Sequence, residues 1–168
     1  AALAKLNTKS VPFFVHLFGR QTFKQEILEV NSDYQQVRTR LRFWGYTDQK
    51  TALTYAEGAV AGLALLKPVG DYPESYTTKL FEHMALGLPV VTADFPLYKD
   101  VVERHQCGFC VDPYDADAVA HALMYLIDHP AEAEQMGKRG RNAVEQHYNW
   151  VTEAAKLRAF YGRVLQRP

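Results

Sequence analysis

Short apolar runs alternate with longer amphipathic stretches along the chain. Phe13-Phe14-Val15-His16-Leu17-Phe18 ends at Gly19, Leu41-Arg42-Phe43-Trp44 at Gly45, and Leu63-Ala64-Leu65-Leu66 at Pro68. Leu88-Pro89-Val90-Val91 and Gly108 to Val111 complete the set. Apolar runs this short, closed by glycine or proline, read as buried strands. Between them, stretches of helical period predict helices over 23–30, 49–58, 76–86 and 96–105. Three more close the chain: 116–127 behind the acidic Asp115-Ala116-Asp117, 131–147 opened by Pro130, and 150–165 capped by Asn149. A strand followed by a helix of this length, repeated, is what parallel crossovers need, because each must travel back over a face of the sheet. The expected fold is α/β, a Rossmann-like parallel sheet with helices on both faces, forming one domain over residues 1–168.

Composition narrows the classes without choosing among them. Hydrophobic residues are 48% and charged residues 23%, and the 19 basic residues balance the 19 acidic ones. That balance gives no electrostatic case for nucleic acid or an anionic membrane. No apolar run approaches the roughly 20 residues that span a bilayer, and the first residues do not resemble a signal peptide. The 2 cysteines are too few for a disulfide framework, so a reducing cytoplasm is the expected setting, with any membrane association peripheral. They form Cys107-Gly108-Phe109-Cys110, but the helix lies before this motif rather than after it. A redox pair needs its first thiol at a helix N-terminus, so a buried strand flanked by cysteines is the better reading. The opening Ala1-Ala2-Leu3-Ala4-Lys5-Leu6, without Met or an N-cap, reads as cut from something longer.

The chemistry concentrates in Pro73-Glu74-Ser75-Tyr76-Thr77-Thr78-Lys79-Leu80-Phe81-Glu82-His83-Met84-Ala85-Leu86-Gly87-Leu88-Pro89. Over 76–86, helical spacing places Leu80, Phe81, Met84, Ala85 and Leu88 on one apolar stripe that would pack on the sheet. Ser75, Thr78 and Glu82 fall on the other side, with Glu74 just before the first turn. A helix that starts at the carboxyl edge of a parallel sheet presents free amides and a positive dipole end, a ready anion site. A diphosphate could rest on the amides of Thr77, Thr78 and Lys79, with carboxylates on either side accepting from sugar hydroxyls. The plainer alternative stays open: Glu74 as a dipole partner of the helix and Glu82 as a solvated surface charge.

Glu74 and Glu82 are spaced Glu-x7-Glu, and the segment around them resembles the hallmark of family 4 (group 1) glycosyltransferases of the GT-B fold. Arg40-Leu41-Arg42-Phe43-Trp44-Gly45-Tyr46 resembles that family's strand and glycine before its base-binding loop. Asp94-Phe95-Pro96, Cys107-Gly108, Val111-Asp112-Pro113, Met136-Gly137 and Tyr148-Asn149-Trp150 fall in its later pattern, so the likeness runs over about residues 11–165. The resemblance implies one half of a GT-B enzyme: the C-terminal, nucleotide-sugar-binding domain of a retaining, hexosyltransferase-type glycosyltransferase. Glu82 would bind the ribose and Glu74, with a catalytic role, the donor sugar. Ser75, Thr77, Thr78 and Lys79 would meet the donor's phosphates and neighbouring groups, and Gly45, Tyr46 and Thr47 would line the base. The family is generally metal-independent, so no cofactor is expected beyond the nucleotide diphosphate sugar. The acceptor would be a saccharide or a lipid-linked one.

The departures set limits on that expectation. Family members usually open this domain with a strand ending in Gly-Arg, followed by a lysine, and those cations hold the diphosphate. Gly19-Arg20 stands too near Glu74 to be that element and fits the next strand, so Arg20 receives no phosphate role. The first strand and the whole N-terminal acceptor domain are expected to be missing, which would leave this chain alone inactive. Competing readings are a stand-alone nucleotide-binding module and half of a sugar-nucleotide epimerase, although the acid/base residues of the latter are not found. His83 reads as structural or surface, and His16 as an interior histidine. The 6 histidines show no metal-ligand spacing, and Lys67 is a minor candidate at the ligand edge.

Overall fold

The computed structural model describes residues 1–8 and 12–165. In chain order these form α1 (Ala2–Thr8), β1 (Val15–Phe18), α2 (Gln25–Glu29), α3 (Ser32–Val37), β2 (Leu41–Gly45), α4 (Gln49–Ala56) and β3 (Gly62–Ala64). There follow α5 (Thr78–Ala85), β4 (Val90–Ala93), α6 (Pro96–His105), β5 (Gly108–Val111), α7 (Ala116–Asp128), α8 (Pro130–Gln146) and α9 (Trp150–Leu165). Every strand pair is parallel: β1 with β2, β3 with β4, and β4 with β5.

The expected single sheet is two sheets, β1-β2 and β3-β4-β5. Doubly wound folds join their wings through a central strand, and among the described residues none pairs with both β1 and β3. Without that strand the wings carry no common ladder. The smaller wing is thinly covered, and this reverses one expectation: His16 is exposed, accepts a 3.1 Å hydrogen bond from Trp44 Nε1–H, and stacks on that indole.

The three-stranded wing has helices on both faces. On one side, Val90 packs with Leu80 and Met84 of α5, Tyr98, Val101 and Val102 of α6, and Ala143 of α8. On the other, Val91 packs with Leu6 of α1 and Val119, Ala122, Leu123 and Leu126 of α7. Successive strand residues point to opposite faces, so β4 serves both cores, and all four of its residues are buried. Its one buried polar group, Thr92, donates from Oγ1 to the Ala64 carbonyl at 3.1 Å and so loses no hydrogen bond.

Two helices lie outside the expected set. α1 forms although nothing caps it, because Leu6, only 2% exposed, sinks into the α7 core. The helix expected over 23–30 is shorter, and Asn31 starts a separate α3 by accepting from the Tyr34 amide at 3.0 Å. The capping expected at α7 and α9 is present: Asp115 accepts from the Asp117 and Ala118 amides, and Asn149 from that of Thr152. The cysteine motif enters a strand, as expected, but the strand is only part-buried: Cys107 is buried just before β5 and Cys110 part-buried within it. Burial raises the thiol pKa to about 11 at Cys107 and about 12 at Cys110, so neither forms a thiolate near neutral pH.

α5 is held against bare backbone. A Cβ on Gly137 of α8 would stand 1.9 Å from the Gly87 carbonyl oxygen, and one on Gly62 would stand 2.2 Å from the His83 ring. At the end of α5, Gly87 adopts φ +70°, and its N–H bonds the Met84 carbonyl at 2.9 Å, so the helix stops where the sequence places its stop. Gly137→Ala should cost about 1–3 kcal/mol, as overpacking against rigid backbone does. For a chain of this length that corresponds to a fall in Tm of about 2–12 °C. Gly162→Ala, where a Cβ meets nothing within 4 Å, should not lower Tm; thermal unfolding followed by circular dichroism compares the two.

His83 packs part-buried on β3 with its Nδ1 unpartnered. Burial lowers its pKa below the usual imidazole value, and the Lys79 charge adds to this. The unfolded chain therefore takes up this proton first, so folded stability declines as pH falls through about 6.5, the ordinary histidine value, and below. His105 shifts the same way, mainly by burial. His83→Gln should flatten part of that acid limb in Tm measured from pH 7.5 to 5.5; an unchanged slope would remove His83 from the account.

Candidate functional site

The segment before α5 takes a sharper path than its helical spacing suggests. Tyr72–Glu74 form a single 3-10 turn with Pro73 inside it, and Ser75 is then extended at φ −129°, ψ 146°. Thr77 is the extended N-cap, so α5 begins at Thr78 rather than at 76. Ser75 therefore does not share a helical face with Thr78 and Glu82, because proline favours the turn and the chain must straighten before it can enter α5. On the apolar side, Leu80 and Met84 are buried as expected, Ala85 is exposed, and Leu88 is buried beyond the helix end.

This path leaves the mouth of α5 open. Thr78 and Lys79 are exposed, and the Thr77 side chain caps neither of them. First-turn amides of a helix lack intrahelical partners and point outward along its axis. They border a cleft of about 250 Å³ whose walls include Leu66, Ser75, Thr77, Thr78, Lys79 and Tyr98. The cleft lies where the chain leaves the carboxyl end of β3, the edge at which open parallel sheets take ligands.

Four of the expected site residues, Ser75, Thr77, Thr78 and Lys79, thus come together around one space. Glu74 sits exposed at the end of the 3-10 turn, beside the cleft rather than in its wall. Glu82 lies one turn into α5 and accepts a 2.9 Å hydrogen bond from Nε2 of Gln49. Gln49 is the first residue of α4, one residue beyond the Gly45-Tyr46-Thr47 loop, so one side-chain bond ties the end of the expected base loop to the expected ribose carboxylate. Gly45 turns that loop at φ +65°, and its carbonyl accepts from the Gly19 amide at 2.8 Å. Tyr46 is 82% exposed, Thr47 donates to the Trp44 carbonyl at 3.4 Å, and Asp48 caps α4 through the Thr51 amide.

Gln49 and Tyr98 are the neighbours that sequence reasoning missed. Neither carries a local signal beyond its place: Gln49 follows a capping aspartate, and Tyr98 sits in the first turn after a strand's carboxyl end. Lys67, the minor candidate, lies past β3 with its ammonium 5.2 Å from the centre of the Tyr114 ring. A larger groove of about 390 Å³ lies between the end of α6 and α8. Its arginines are already engaged, Arg104 by Asp100 and Arg139 by Glu132. It also sits by the C-terminal end of α6, where the dipole disfavours an anion. The smaller cleft is the better site.

No helix among the described residues is long and apolar enough to cross a membrane. Residues 1–143 match the family described as "Glycosyl transferases group 1". Among curated proteins, an MMP alpha-(1->4)-mannosyltransferase of Mycolicibacterium hassiacum is 28% identical over 124 residues, covering 73% of this chain and 29% of that protein. A glycogen synthase of Mycobacterium tuberculosis is 23% identical over 161 residues, covering 96% of this chain and 37% of its own length. Among solved structures, a sucrose-phosphate synthase from Thermosynechococcus elongatus superposes with a TM-score of 0.76 at 23% identity, covering 98% of this chain and 41% of that one. The chain thus spans roughly a third of the curated relatives' length. With the family matched over most of its residues, the chain belongs to the group 1 glycosyltransferases.

Proposed function

We propose that this chain is the donor-binding domain of a retaining glycosyltransferase. It would hold a nucleotide diphosphate sugar while a partner domain presents a saccharide or lipid-linked acceptor. The observation that carries this reading is the open mouth of α5 over its cleft, with Glu82 tied through Gln49 to the β2–α4 loop. On this reading the base would lie against Gly45-Tyr46-Thr47, the ribose at Glu82 and the diphosphate at Thr77, Thr78 and Lys79. During transfer the bond from the sugar C1 to the phosphate oxygen breaks and the acceptor oxygen bonds C1 on the same face. The acceptor's proton leaves with the departing phosphate. Negative charge grows on the diphosphate, where fixed amides and the Lys79 ammonium stabilise it without a metal. Glu74, beside the cleft, would accept from hydroxyls of the donor sugar. A separate acceptor domain agrees with the chain's share of its relatives' length, and the split sheet agrees with a central strand supplied from outside the described residues. On this reading the chain alone does not complete the reaction.

The two glutamates should respond differently to removal. Glu82→Ala should weaken binding of bare UDP or GDP by about 1.5–3 kcal/mol, the value of a charge-assisted hydrogen bond, because the ribose is present with or without the sugar. Glu74→Ala should leave nucleoside diphosphate affinity unchanged and lower turnover of the complete polypeptide, since its partner is the sugar. Calorimetric affinities with melting temperatures read both outcomes. If neither variant changes nucleotide binding and both melt early, the residues are structural and the assignment fails.

A further inference from the structure

Tyr98 stands in the first turn of α6, next to the carboxyl end of β4. It is 0% exposed and the largest of the fully buried side chains, with its ring 5.2 Å from that of Phe95. The ring belongs to the core built around Leu80 and Met84. The hydroxyl does not complete that core: no group accepts its proton, since its backbone neighbour is the Thr77 amide, itself a donor, and the residue forms part of the wall of the cleft at the mouth of α5.

A buried hydroxyl without an acceptor is unfavourable, and phenylalanine would fill the same volume without that cost. The hydroxyl's proton therefore has a use only if an acceptor enters the cleft. The first-turn amides of α5 and the Lys79 ammonium can only donate, and the Ser75, Thr77 and Thr78 hydroxyls can donate as well, so the entering group best served is an acceptor rich in oxygen. Burial raises the Tyr98 pKa above its ordinary value; the Thr77 backbone opposes this and the Tyr72 phenol adds to it. The phenol thus keeps its proton and can donate.

We infer that Tyr98 is a donor-contact residue whose Oη–H donates a hydrogen bond to a phosphate oxygen of the bound nucleotide diphosphate sugar. This rests on the donor-site reading above and extends it to a residue on a second helix. With α5 supplying amides from one wall and α6 a hydroxyl from another, the diphosphate would be held from two directions. That fixes the orientation of the leaving group, which a single helix mouth does not.

Tyr98→Phe in the complete polypeptide tests the contact. It keeps the ring and its packing and removes only the oxygen. Calorimetry with UDP, GDP and ADP, NMR titration with the matching nucleosides, and melting temperature form the set. The expected result is an affinity for the preferred nucleoside diphosphate reduced about tenfold, as for one lost hydrogen bond to a charged group. Nucleoside affinity should be unchanged, Tm should not fall, and turnover should be reduced. Unchanged diphosphate affinity overturns the inference. So does an equal loss for nucleoside and diphosphate, which would mean that Tyr98 only positions the Ser75–Thr78 loop. If the parent protein binds none of the three diphosphates, the donor-site reading itself has failed and the Tyr98 contact falls with it.

Discussion

How deeply α5 can sink into the protein depends on side chains that are absent. Gly62 beneath His83 and Gly137 against the Gly87 carbonyl let neighbouring backbone approach to distances that a single Cβ would forbid. Gly140 adds a lesser relief, where a Cβ would stand 3.2 Å from that of Cys107. The helix is consequently gripped along its rear half, by β3 from one side and α8 from another. Its front half is left to the cleft. A helix fixed at one end aims its other end, and the open amides of Thr78 and Lys79 are positioned by contacts made two turns behind them.

The same division runs through the energetics. The residues that secure α5, Leu80 and Met84, are fully buried and apolar. The residues of α5 and its approach that could touch a ligand, Ser75, Thr77, Thr78, Lys79 and Glu82, are exposed or only part-buried. Packing and recognition thus occupy opposite faces and opposite ends of one short helix, so substitutions on the ligand side can leave the fold intact.

Much of the fold could be read from local pattern. Strand ends at Gly19 and Gly45, the stop at Gly87 and the caps at Asp115 and Asn149 are single-residue signals with direct mechanical causes, and the structure reproduces them. What could not be read depends on distant partners. α1 owes its place to the α7 core rather than to a cap, and the division into two sheets reflects pairing, which no window of sequence contains. His16 looked interior because its neighbours are apolar, yet it stays exposed beside the Trp44 and Tyr55 rings. In the site, the residue types around α5 were legible while the path was not: Pro73 shifts Ser75 off the helix. Gln49 and Tyr98 stayed silent because their relevance comes from elements folded against α5.

The Gln49–Glu82 bond has one more implication. The β2–α4 loop and α5 come from different wings of a divided sheet, and this side-chain pair is a bridge between them. Where the loop meets the helix, the tie is a side-chain bond, which an incoming hydroxyl could replace, rather than a rigid ladder. The groove between them is an adjustable caliper. On the proposed donor-site reading, a bulkier or slimmer base would be admitted by trading one amide for one alcohol at the same carboxylate, with the core of the larger wing left undisturbed.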